Sequence, residues 1–140
     1  MNRSLLERLV ATAVFLYALI LYGLTIAPTV PFWDGGEFIA SVFGLQVMHP
    51  PGAPFYVLIA RLFSMLAPSR ELVALAVNWV SALSSAVTVL LTYLIIVRLI
   101  RLWQPAADQR TWMDDLTALT GGVVGACTFA VTDSFWFNAV

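Results

Sequence analysis

Residues 9–27 read LVATAVFLYALILYGLTIA, a 19-residue run without a charge. At about 1.5 Å per helical residue, such a run crosses a hydrocarbon core of about 30 Å. Pro28 and Pro31 then end the helix. Arg3 and Arg8 ahead of the run imitate the basic start of a signal peptide. The run is nevertheless longer than the roughly 7–15 apolar residues of such a segment, and Thr25-Ile26-Ala27 before Pro28 is a poor cleavage context. It reads as a retained first span.

Two more runs follow outward from it. Residues 72–97 form an uncharged stretch long enough to cross with tilt. Residues 116–132 form a shorter, glycine-richer one, and the span is expected to reach about 134. Lipid cannot satisfy open backbone groups, so all three are expected to be helices. The composition agrees: 61% of the 140 residues are hydrophobic, 11% are charged, and the mean hydropathy is +0.89. A soluble domain needs charges on roughly a quarter of its residues. The net charge of −1 gives no hint of a nucleic-acid partner, and none is expected. Cys127 is the only cysteine, lies in an apolar run and reads as a small hydrophobe.

Residues 52–68 are apolar but short, with Arg61 in the middle. If they do not cross, Arg3, Arg8, Arg98, Arg101 and Arg110 share one side, and only Arg61 and Arg70 lie opposite. If they cross, that asymmetry is lost. The positive-inside rule favours the first arrangement. The expected fold is therefore an all-α polytopic transmembrane helix bundle. It has three spans (about 9–27, 72–97 and 116–134), an outer segment over 28–71 with two juxtamembrane helices, and an inner loop over 98–115. Gly121 and Gly125 (a GxxxG beside Gly122) and the stripe Ser81, Ala82, Ser85, Ala86 are expected to let the spans pack closely.

This topology returns Asp133-Ser134-Phe135-Trp136-Phe137-Asn138 to the face that carries Trp33-Asp34-Gly35-Gly36-Glu37. Asp34 and Glu37 stand three apart before an apolar run. That is a capping-box pattern, which would make both structural. Acids at membrane depth are, however, costly and mostly functional. Phe32, Trp33, Phe38 and Ile39 flank them, and desolvation there would raise a carboxyl pKa and favour a base. His49-Pro50-Pro51-Gly52 is a stiff turn presenting the only histidine. With no second His and no His/Cys cluster, no zinc site is expected; a divalent cation on Asp34 and Glu37 is at most weakly indicated. Arg61 is either a snorkelling cation or a clamp for a lipid phosphate. Trp136 reads first as part of an interfacial aromatic belt.

Several of these residues together resemble a family. Thr25-Ile26-Ala27-Pro28-Thr29-Val30, Trp33-Asp34-Gly35-Gly36-Glu37-Phe38, His49-Pro50-Pro51-Gly52-Ala53-Pro54, Asn78 with Ser81-Ala82-Leu83, and Phe135-Trp136-Phe137-Asn138-Ala139-Val140 look like the N-terminal part of the domain-of-unknown-function 2723 membrane proteins. These are similar to the protein O-mannosyl-transferases of the GT-C glycosyltransferase superfamily. The resemblance implies a many-span enzyme that moves a sugar, mannose by analogy, from a polyprenyl-phosphate donor to a protein or other hydroxyl acceptor with inversion. It implies Asp34 as catalytic base with Glu37 as second acid, and His49, Arg61, Trp33 and Asn138 as binding residues for substrate or lipid phosphate. It implies no cofactor beyond that weakly indicated cation. The expected location is a cytoplasmic membrane of bacterial type, N-terminus inside and site on the outer face. The chain is expected to be an N-terminal piece whose three spans do not close a donor site alone.

Two other readings use the same residues. In one, the chain is a non-enzymatic membrane subunit, and Asp34, Glu37 and His49 cap helices or contact a partner. In the other, Asp34 serves an ion pathway; the first two spans contain no acid, which ranks this reading last.

Overall fold

The computed structural model describes residues 3–31, 33–50 and 52–140. Phe32, expected beside Asp34, and Pro51, expected in the His49 turn, lie outside the described residues. Among those described, the chain is all helical. The order is α1 (Arg3–Thr25), α2 (Gly35–Gly44), α3 (Pro54–Leu66), a 3-10 turn (Arg70–Leu72) leading into α4 (Val73–Leu102), α5 (Trp112–Ala130) and α6 (Asp133–Ala139).

The three long apolar helices pack as an antiparallel bundle, with α4 against both α1 and α5. Ion pairs tie one end: Arg3 meets Asp115 at 3.2 Å, and Arg101 pairs with Glu7. The start of α1, the end of α4 and the start of α5 therefore lie together. At the other end the fully buried Tyr22 donates its hydroxyl to the Ala130 carbonyl at 3.0 Å. Between these ends lies a seam of small and β-branched residues, among them Val14, Ala18, Ala82, Ala86, Val89 and Ala126. The expected stripe on α4 is real: Ala82 and Ala86 are fully buried. Gly121, Gly122 and Gly125 all abut α4 side chains, as a small-residue contact in lipid requires.

Helices α1 and α4, the latter counted from Arg70, are each long and apolar enough to cross a membrane. The third span departs from its expected course. Instead of running to about 134, α5 stops at Ala130, and α6 leaves at 69°. The reason is local. The Val131 and Thr132 N–H groups turn back to Thr128 and Phe129, the Thr132 hydroxyl also donates to Phe129, and Thr132 itself is extended. Tyr22 satisfies one of the carbonyls that the break orphans.

The expected inner loop is also shorter than 98–115, because α4 runs to Leu102 and α5 starts at Trp112. Thr111 and Asp114 form a capping box there: Thr111 N–H donates to Asp114 Oδ2 at 2.8 Å, and Asp114 N–H donates to Thr111 Oγ1 at 3.3 Å.

The two short helices build a second core against the first half of α4, from Val42, Val57, Ala60, Val73 and Val77. Phe38 meets Tyr56 edge-on at 5.5 Å. Helix α3, at 13 residues too short to span, leaves Phe55, Leu58, Leu62 and Met65 exposed on its other side.

Candidate functional site

An open cleft of about 1130 Å³ lies at the end of the bundle away from the ion pairs. Several segments line it, α2 among them through Gly35, Phe38 and Ile39. The chain leaving α1 supplies Thr25, Trp33 and Asp34; α3 and α4 supply Tyr56, Asn78 and Ser81; α6 supplies Asp133, Ser134, Trp136 and Asn138. The sequence placed the two polar-aromatic clusters on one face, and the structure brings them to one cavity. The bend before α6 accomplishes this, because a straight third span would carry Asp133 onward along the bundle axis. Phe135 anchors the bent piece against Tyr22 and Phe129, at 6.3 and 4.2 Å between ring centroids. Trp136, read from the sequence as an interfacial residue, is half-buried and donates its indole N–H to Thr25 Oγ1 at 3.2 Å.

The turn carrying Trp33 and Asp34 is held from below. Asn78, at 7% exposure, donates both amide hydrogens, to the carbonyls of Ala27 and Thr29, each at 2.9 Å. These bonds join the start of α4 to the segment about fifty residues earlier. Truncating Asn78 to Ala would strand two carbonyls, at a cost of about 1–3 kcal/mol. The expected result is a lower unfolding temperature in detergent and faster amide exchange over residues 27–34. Unchanged exchange there would show that Asn78 does not hold the turn. Asn78 is a residue of the cleft lining that sequence reasoning quoted without giving it a role. The available signal was a polar amide at the start of an otherwise apolar span.

Trp33 has φ 62°, in the left-handed region that a bulky aromatic seldom enters, and is 88% exposed. Such strain persists only where the surroundings impose it. Asp34 precedes α2 but makes no side-chain capping bond. The capping-box reading of Asp34 and Glu37 is therefore not realised. Asp34 is exposed at the cleft.

Glu37 belongs to a different group. Its Oε1 accepts the His49 backbone N–H and its Oε2 meets His49 Nδ1, both at 2.7 Å. Neither residue is among those lining the cleft. The backbone and ring hydrogen bonds from His49 hold the Glu37 carboxyl below its ordinary value of 4.5, a correction to the upward shift expected from its flanking aromatics. Glu37 in turn raises His49 above 6.5. The signs follow from linkage. What His49 draws from the pair is present below pH 6.5 and lost as pH rises through its raised value. What Glu37 draws is present above pH 4.5 and lost as pH falls through its lowered one. His49 is the only histidine, so its titration is readable directly by NMR. Its midpoint is expected above 6.5 and to fall toward 6.5 in Glu37→Gln. A midpoint indifferent to that change would mean the pair does not form. Gly52 N–H donates to the His49 carbonyl at 2.9 Å, and Gly52 has φ 71°.

Arg61 also lies off the cleft lining. Its Nη1 donates to the Phe43 carbonyl at 2.7 Å and its guanidinium sits 5.8 Å from the Phe43 ring centroid, so it closes the C-terminal turn of α2. Of the residues singled out from the sequence, Trp33, Asp34 and Asn138 thus meet in the cleft, while Glu37, His49 and Arg61 are engaged around α2. Among the described residues, no group of three or more His, Cys, Asp or Glu side chains is arranged to hold a metal ion.

Residues 34–140 match the family described as the N-terminal domain of the protein O-mannosyl-transferase TMEM260. The chain is similar to the protein O-mannosyl-transferase tmem260 of Dictyostelium discoideum, with 32% identity over 81 residues, covering 57% of this chain and 10% of the relative. It is similar to the protein O-mannosyl-transferase TMEM260 of Mus musculus, with 36% identity over 89 residues, covering 64% and 12%. The chain spans about a tenth of the length of these curated relatives. No solved structure matches.

Proposed function

The chain belongs to the family of the protein O-mannosyl-transferase TMEM260 N-terminal domain, and on that premise we propose that it forms the N-terminal part of a membrane glycosyltransferase of GT-C type. The proposed reaction moves mannose from a polyprenyl-phosphate donor to a hydroxyl on a protein or other acceptor. One observation carries the reading: Asp34, the first residue of the family match, lines a cleft with the α6 cluster from the far end of that match.

Asp34 is the base. Its carboxylate takes the proton of the acceptor hydroxyl as that oxygen bonds to the anomeric carbon. The bond from that carbon to the phosphate oxygen breaks, and the phosphate leaves with the electron pair. A phosphate is a good leaving group, so little acid assistance is needed, and attack from the opposite side inverts the carbon. The cleft end lies on the outer face, because the opposite end gathers Arg3, Arg8, Arg98, Arg101 and Arg110 and so faces inside. The test is transfer by the whole protein from a polyprenyl-phosphate mannose of known anomeric configuration. A product of the opposite configuration is expected; a retained configuration would overturn direct displacement, and no transfer to any hydroxyl acceptor would overturn the function.

A further inference from the structure

The charge of the cleft selects which part of a substrate it takes. Among the described residues its lining contains two aspartates, Asp34 and Asp133, and no Arg, Lys or His. Of the cations at this end of the bundle, Arg61 is held on the Phe43 carbonyl and ring and His49 on Glu37, and Arg70 is not among the lining residues. Arg3 and Arg101 are in ion pairs at the far end of the bundle. Charged donors, above all arginine forks, hold anions most strongly, and the described lining offers none. It offers acceptors and neutral hydroxyl or amide groups instead. Asn78 has committed both of its N–H bonds to backbone, so Oδ1 is the polar atom it retains for a ligand. Tyr56 and Ser81 add hydroxyl groups to the same lining. Trp33 and Trp136 add aromatic surface at two sides. Acceptors for several hydroxyls, with aromatic faces for a C–H surface, fit an uncharged sugar ring.

We infer that this cleft is a subsite for the neutral hexose ring of the donor and that its two aspartates repel phosphate, which is held by residues outside it. The inference rests on the glycosyltransferase reading and divides the donor between two places. It gives Asp133 a role that no comparison assigns, as an electrostatic selector opposite Asp34.

The experiment measures binding, separately from transfer. Methyl α-mannoside and mannose 1-phosphate are titrated one at a time against the whole protein in detergent, read by saturation-transfer NMR. The neutral glycoside is expected to bind at least about tenfold more tightly than the sugar phosphate, since like charges are a strong discriminator in a shared site. Asp34→Asn with Asp133→Asn is expected to narrow the ratio to within about threefold, and raising salt in the unaltered chain to narrow it in the same direction. The salt series needs no variant and stands even if the double variant fails to fold. Equal or tighter binding of mannose 1-phosphate, a ratio that neither salt nor the variant moves, or no binding of either ligand would overturn the inference. Its failure is separable from that of the transferase reading. Retained transfer by Asp34→Asn overturns that reading whatever the binding ratio; a reversed ratio with transfer abolished overturns only the division of the donor.

Discussion

Asp34→Asn is expected to lower sugar transfer by the whole protein by about 10²–10⁴-fold, the usual contribution of a positioned general base. The substitution keeps shape and removes the charge and the proton-accepting carboxylate. It is expected to leave the fold intact, because the Asp34 side chain makes no capping bond to α2 and is exposed. An internal check on the change comes from His49, whose raised pKa is due mainly to the Glu37 hydrogen bond and least to the charge of Asp34. The variant should therefore shift His49 slightly downward and no more. Glu37→Gln is the informative contrast. It releases His49 but alters no residue lining the cleft, so it should cost transfer far less than Asp34→Asn. Equal losses from both would place the acid chemistry around α2 rather than in the cleft.

The second large effect is expected at Gly122, on stability. A Cβ there would lie 2.6 Å from Val97 Cγ2 and 2.9 Å from the Tyr93 ring. Neither neighbour yields easily: Tyr93 is 1% exposed, and Val97 is buried in the same seam. A Cβ at Gly121 or Gly125 would also lie 2.6 Å from α4, but there the facing atoms are the flexible Cδ1 ends of Ile100 and Ile96. Gly122→Val should thus force α5 off α4, whereas Gly125→Ala should be absorbed by a rotamer change. Overpacking of this kind costs about 1–3 kcal/mol and sometimes more. In detergent this appears as a marked fall in unfolding temperature for Gly122→Val and a small one for Gly125→Ala. Because α5 carries α6, the Gly122 variant should also open the cleft and increase the exposure of Trp136. Comparable thermal stability in the two variants would show that the helices approach differently.

Much of this arrangement was legible in the residues. Uncharged length alone identified α1 and α4, since in lipid a long apolar run has no other use. Five arginines against two gave the relative ends, and the bundle places those five at the end away from the cleft. From the ends followed the meeting of Asp34 with the cluster after the third run. The break at Val131 and Thr132 was not legible, because β-branched residues continue a helix as readily as they end one in an apolar context. It is stabilised by Tyr22, more than a hundred residues away, which donates its hydroxyl to the Ala130 carbonyl.

The acid pattern misled for a related reason. Asp34-x-x-Glu37 and Thr111-x-x-Asp114 both resemble a capping box, yet only the second forms one. Glu37 has a stronger offer, two hydrogen bonds from His49 twelve residues on. A local pattern cannot weigh a tertiary competitor. The same holds for Arg61, whose partner is the carbonyl end of α2. The sequence showed which residues carry polar chemistry, but only packing sorted them into a cleft and a brace beside it.

The most direct test of the central claim is a map of the whole protein with a non-transferable polyprenyl-phosphate mannose analogue bound. The account predicts the sugar ring in the cleft between the Trp33-Asp34 turn and α6, with Asp34 facing the anomeric carbon and the phosphate outside the residues that line the cleft. A sugar ring bound elsewhere, with Asp34 remote from the anomeric carbon, would contradict it.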